Sequence, residues 1–275
     1  MIERLASHLH NRTLEGYNAK TKEQIQQLPS DQIDIARALL IYQYDNQPDA
    51  HLMIRRYEAQ LDMMALQILA RLPLKSSNEQ ILEGLSDFIF HKMQFRFPPQ
   101  SLMVKEVDTY TLLPSVLDNR KGVCLGVSIL YLSLAQRLNL PLEIITPPGH
   151  IYVRYHQGST LINIETTARG VHMPTEIYLG INTYQLSTRS MKEVVGMAFV
   201  NQASVLWGKG QYAQAAQLYE NALPFMPDDY HLKLFLAIQY LLLSEKKQAR
   251  ALLDSLLDRI PQDCVYKDTL AEDIL

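Results

Sequence analysis

The chain has 275 residues, 47% of them hydrophobic and 20% charged, with a net charge of −3. This length predicts two domains with full apolar cores, and the balanced charge, with no Lys and Arg run interleaved with aromatics, argues against a nucleic-acid partner. No window approaches eighteen uninterrupted apolar residues, so no membrane partner is expected; the start lacks a secretory apolar stretch, and with Cys124 and Cys264 as the two cysteines a cytoplasmic location is expected.

In chain order, residues 31–72 read as helical. Asp31 is the expected cap of a segment carrying Ile35, Leu39 and Tyr42, and after Pro48-Asp49 a second segment sets Tyr57, Leu61, Met64, Ala65, Ile68 and Leu72 on one stripe, ended by Pro73. A third helix is expected from Ser76 or Ser77, with Glu79 or Gln80 closing a capping box and Ile81, Leu85, Phe88 and Ile89 at helical spacing. Phe95-Arg96-Phe97-Pro98-Pro99 breaks it. Residues 98–112 have no period and read as a loop wrapping the site that follows.

Cys124 stands directly before the apolar helical run Leu125 to Ala135, which closes at Gln136-Arg137-Leu138-Asn139-Leu140-Pro141. The sulfur therefore sits at a helix N-terminus, where unpaired N–H groups and the positive end of the dipole favour thiolate, the nucleophilic form. Three β-branched and aromatic runs follow: Leu142 to Thr146, His150 to Tyr155 and Thr160 to Glu165. They are separated by Pro147-Pro148-Gly149 and Gln157-Gly158-Ser159, which predicts an antiparallel meander with a hairpin at 156–160. His150 near the start of one strand and Glu165 at the end of the next can lie side by side. With the thiol facing that edge, His150 would take its proton and Glu165 would orient the ring, at a sulfur-to-nitrogen separation of about 3 to 4.5 Å. Each residue also has a plainer account: a buried small hydrophobe for Cys124, an ordinary strand hydrogen bond for His150, a solvated strand end or a partner for Arg169 at Glu165.

Gly122-Val123-Cys124, Pro148-Gly149-His150 and the strand end Ile162-Asn163-Ile164-Glu165 together resemble the motifs of the transglutaminase-like superfamily of papain-type folds. Leu113-Pro114-Ser115-Val116-Leu117 and Arg120-Lys121-Gly122 extend the resemblance to its SirB-type branch, whose members often carry C-terminal tetratricopeptide repeats. The resemblance implies an α+β fold: a mainly helical N-terminal part, a cysteine-protease-type core with a small antiparallel sheet, then an all-α repeat domain. It also implies Cys124, His150 and Glu165 as catalytic residues acting on an amide. At the third motif the family places Asp-Pro where this chain has Glu165-Thr166, and many members of the branch lack the cysteine that this chain keeps.

The last third carries its own period. Phe199, Ala203, Gly210, Tyr212, Ala215, Tyr219, Ala222 and Pro227 fit the tetratricopeptide pattern, and a shift of 34 residues recovers Ala237, Ala249 and Pro261. This predicts a repeat domain at 191–275, with repeats at about 196–229 and 230–263 and a short C-terminal helix, after a first domain at 1–190 in which the resemblance implies a transglutaminase-like core at about 77–175. Two repeats are fewer than such arrays need to bury their faces. They must lean on that last helix, on the first domain or on a second copy of the chain as a homo-oligomer, and they serve either as a partner-binding groove or as a cap. Neither paired metal-ligand spacing nor a glycine-rich phosphate loop is present, so no cofactor and no metal is expected. Two functions remain open: a cysteine enzyme acting on amide bonds of a protein or peptide (protease, deamidase or amide transfer), and a silent scaffold for protein interaction.

Overall fold

The computed structural model describes residues 5–45, 47–98, 111–179 and 186–256. The chain divides into two compact units, residues 1–198 and 199–275, and the division falls within one helix, Met191–Gly208.

In the first unit, helices α1 (Lys22–Gln27), α2 (Ile35–Tyr44), α3 (Ala50–Leu69), α4 (Asn78–Ser86) and α5 (Leu113–Asn119) precede α6 (Cys124–Arg137). The start of α2 departs from expectation. Its cap is Asp34, whose carboxylate accepts from the Arg37 N–H, while Asp31 lies in a separate short 3-10 turn. Asp34 wins because its other oxygen is also held, by the Asn11 amide at 2.9 Å, a long-range contact that local spacing does not reveal. The capping box of α4 forms as expected, between Ser77 and Gln80. The helix then widens into a π turn at Asp87–Lys92, which buries Phe88, Ile89 and Phe90 in succession. Of the expected loop at 98–112, residues 99–110 lie outside the described residues.

Helix α6 is apolar on nearly every side and is buried accordingly, packed by α2, α3 and α5. It ends on Asn139 in the left-handed region, φ 55°, with the Leu140 N–H donating to the Ala135 carbonyl at 3.0 Å, and Pro141 prevents continuation. The meander follows as β1 (Glu143–Thr146), β2 (Tyr152–Gln157) and β3 (Thr160–Glu165), with the β2–β3 hairpin turning at Gly158, φ 59°. Two further strands, β4 (Val171–His172) and β5 (Ser187–Arg189), flank it to give an antiparallel sheet in the order β4-β3-β2-β1-β5. Both are too short for an alternating pattern to mark them.

The second unit is a run of helical hairpins from α7 (Met191–Gly208) through α8 (Tyr212–Ala222), α9 (Tyr230–Leu242) and α10 (Lys246–Asp254). Ala203, Ala215, Ala222, Ala237 and Ala249 are all fully buried, which is why the repeat needs small residues where its helices cross. Pro261 and the C-terminal helix expected at 265–275 lie outside the described residues. Both α7 and α9 end in the same bonded turn: Gly210, φ 74°, and Ser244, φ 63°, occupy equivalent left-handed positions 34 apart. Glycine adopts that conformation freely and serine does not. Ser244→Gly is therefore expected to stabilise this unit by about 0.5–1 kcal/mol, and Gly210→Ala to destabilise it by about 1 kcal/mol, in denaturant titrations. No atom lies within 4 Å of a Cβ built at Gly210, so that loss would be conformational and not a clash.

Candidate active site

Cys124 is the first residue of α6, and no side chain caps this helix start, so its leading N–H groups point toward the sulfur's surroundings unclaimed by a cap. The glycine two residues earlier is required by packing. A Cβ at Gly122 would lie 2.8 Å from Cγ2 of Val127 and 3.1 Å from its backbone nitrogen, so only glycine lets the chain enter the helix this tightly. Cys124 is half-buried and unpaired; Cys264 lies outside the described residues.

His150 sits in a turn two residues before β2 instead of at the strand start. Its N–H donates to the Pro147 carbonyl at 3.1 Å, and Gly149 takes φ 70°, the position a Pro-Gly turn reserves for glycine. Register does the rest. Val153 pairs with Ile164, which sets Glu165 at the level of Tyr152 and within reach of the preceding turn. The Nε2 atom of His150 meets Oε2 of Glu165 at 2.7 Å, and the ring also interacts with the Cys124 thiol.

Glu165 is almost fully buried and accepts four hydrogen bonds. Oε2 takes His150 and the Tyr178 hydroxyl at 2.7 Å each; Oε1 takes the Thr167 N–H at 3.0 Å and its hydroxyl at 2.6 Å. Burial alone would raise its pKa, but these donors outweigh burial and hold the carboxyl down at about 2. Burial likewise works against the imidazolium, yet the contacts to Cys124 and Glu165 hold His150 up at about 10. The ring is thus a cation at neutral pH. The Tyr178 ring stacks on both His150 and Tyr152, with centroids 6.0 and 4.2 Å away, and burial together with the Glu165 carboxylate keeps its phenol protonated as a donor. Thr166 fastens the strand end to the cysteine's helix: its hydroxyl lies 3.1 Å from that of Ser128 and donates to the Cys124 carbonyl at 3.5 Å.

The pair has a defined pH signature. His150, raised above its ordinary 6.5, contributes stability fully below that pH and loses it as pH rises through about 10. Glu165, depressed below 4.5, contributes fully above that pH and loses it as pH falls through about 2. The difference in melting temperature between the parent chain and Glu165→Gln is therefore expected to peak between pH 4.5 and 6.5 and to shrink toward pH 10.

Cys124, His150 and Glu165, the three expected site residues, are thus brought together. Tyr178 was not expected: it lies 13 residues beyond Glu165 in a stretch with no period, and only the tertiary fold returns it. Thr167 had a local signal, since Glu165 caps the 3-10 turn Thr166–Ala168 two residues on. Arg169 is not the partner of Glu165, whose oxygens are taken by the donors above.

Residues 55–176 match the transglutaminase-like superfamily and residues 206–272 match the tetratricopeptide repeat. The chain therefore carries a transglutaminase-like domain followed by tetratricopeptide repeats. Among known proteins it is similar to F-box only protein 21 of Mus musculus and of Homo sapiens, each 29% identical over 84 residues. Those matches cover 29% of this chain and 12% of the relatives' length.

Proposed function

We propose that this transglutaminase-like domain is a cysteine enzyme acting on amide bonds of a protein or peptide, with the repeats recruiting or docking that partner. The observation that carries the reading is one ring, His150, bonded at one nitrogen to a buried carboxylate while it engages a half-buried thiol at a helix start. In the reaction, the Cys124 thiol gives its proton to His150 and the resulting thiolate Sγ attacks the amide carbonyl carbon; the oxyanion that forms is met by the Cys124 N–H at the α6 terminus. The His150 imidazolium then protonates the departing amine, leaving a thioester. Water or a second amine, deprotonated by the now neutral His150, attacks the thioester and releases the sulfur as thiolate, which takes the proton back from His150 to restore the thiol. Glu165 keeps the ring in place and stabilises its charged form. Proteolysis, deamidation and amide transfer share the first half of this sequence.

Labelling the whole protein with a thiol-directed, amide-mimicking probe tests the proposal. Wild type should be modified at Cys124, and the Cys124→Ala chain should lose that signal; equal labelling of both would sink the assignment. A second reading, in which the fold serves as an interaction scaffold, draws on the repeats and on the similarity to proteins named for an F-box. A partner that binds the wild type and Cys124→Ala equally, with no labelling of Cys124 in either the free or bound state, would favour it.

A further inference from the structure

We propose that a second, basic pocket binds an oxyanion carried by a peptide side chain. It is a concavity of about 220 Å³ lined by Phe90, His91, Gln94, Phe95, Arg96 and Arg169. No acid lines it. Among the described residues no carboxylate pairs with Arg96 or Arg169, whose exposed side chains are open to a ligand from solvent. Two more cations flank the pocket: Lys121, bridged backbone to backbone with Arg96, and Arg120, whose guanidinium reaches the Met93 carbonyl at 3.4 Å. Gathering like charges without a counter-ion disfavours the arrangement, and an anion bound among them relieves it.

The backbone is bent to build this concavity. The π turn at Asp87–Lys92 inserts the extra residue that leaves Phe90 buried and His91 exposed beside it. Gln94 and Arg169 both adopt left-handed φ, 58° each, Gln94 just past the end of the π turn and Arg169 as the residue that ends the 3-10 turn Thr166–Ala168, so both elements terminate at the pocket. Gly170 supplies the close approach: a Cβ there would lie 2.8 Å from the Phe90 ring, so its absence is what brings Arg169 over the π turn. The result gathers two arginines and two phenylalanines around one concavity, a lining suited to a carboxylate or a phosphate.

The pocket's place in the chain indicates what presents the anion. The Arg96 carbonyl accepts from the Gly122 N–H at 3.2 Å, two residues before Cys124, and the Gly170 N–H donates to the Glu165 carbonyl at 2.9 Å. One wall thus leads into the thiol and the other leads out of the acid. An acidic or phosphorylated residue seated here would hold its peptide at the rim of the site. That the ligand is a peptide rests on the amide-enzyme reading; the pocket itself does not.

The test uses the full chain carrying Cys124→Ala, so that binding is read without chemistry. Three fluorescein-labelled peptides of identical length, differing at one central residue (Glu, phosphoserine or Gln), are titrated by fluorescence anisotropy at low and high salt. The Glu or the phosphoserine peptide should bind at least about tenfold tighter than the Gln peptide, with the advantage fading in salt. The tighter of the two identifies the source of the oxyanion. Combining Arg96→Gln with Arg169→Asn, the latter chosen because Asn tolerates positive φ, should erase the advantage while the melting temperature holds. The pocket proposal is overturned if neither anionic peptide outbinds the Gln peptide, or if the advantage survives in the double variant. Anion-selective binding alongside an unlabelled Cys124 in the wild type would uphold the pocket and count against the enzyme reading alone.

Discussion

Replacing His150 with Ala should slow alkylation of Cys124 by iodoacetamide at pH 7 about tenfold or more. An ordinary cysteine is only a few per cent thiolate at that pH, and a neighbouring imidazolium is the cation that raises the nucleophilic fraction. His150 is held protonated well above neutrality by its contacts to Cys124 and Glu165, so its removal takes a full positive charge from beside the sulfur. Glu165→Gln should have an intermediate effect. The ring keeps a hydrogen-bond partner in that variant but loses the carboxylate that stabilises its charge. Peptide mapping by mass spectrometry separates Cys124 from Cys264, which serves as an internal reference in the same sample. If both cysteines alkylate at one rate, and that rate ignores the His150 substitution, Cys124 is a small buried residue and the ring beside it is structural.

Asp62→Ala should destabilise the first unit by about 3–5 kcal/mol, as breaking a buried ion pair by removing one partner does. Asp62 is buried on α3 and holds two arginines: Arg137 at the end of α6, whose Nε donates to Oδ1 at 2.9 Å, and Arg12 through Oδ2. Arg137 is 1% exposed and cannot shed its charge. Its Nη1 donates to the Ser133 carbonyl at 3.0 Å, and its Nη2 has no partner among the described residues. Without Asp62 the guanidinium would stay in the core with one carbonyl for company. Arg137→Met should cost much less, because Asp62 keeps Arg12 and the methionine fills the space with apolar atoms. Urea titrations of the two variants rank the costs. A loss below about 1 kcal/mol for Asp62→Ala would mean that water reaches Arg137 and that this end of α6 is not a closed core.

Periodicity and turn chemistry carried much of the architecture on their own. Helix α6 was legible from its unbroken apolar run and its Asn-Leu-Pro ending, and the β2–β3 hairpin from its Gly-Ser turn, because both signals act within a few residues. The repeat helices were legible from alanines recurring every 34 residues, since a close helix crossing excludes anything larger. Gly122, Cys124, His150 and Glu165 could be picked out as residues, but their convergence rests on the register of β2 against β3, which one slipped residue would have undone. Asp34 capped α2 in place of Asp31 because Asn11, far back in the chain, reached it. Tyr178 joined Glu165, and Arg169 lines a concavity with Arg96 and Phe90 instead, for the same reason. Local chemistry decides which conformation a segment prefers, and so it is written in the segment. Which polar group satisfies a buried carboxylate, and which cations are left without one, depends on every element packed around it, and only the folded chain decides that.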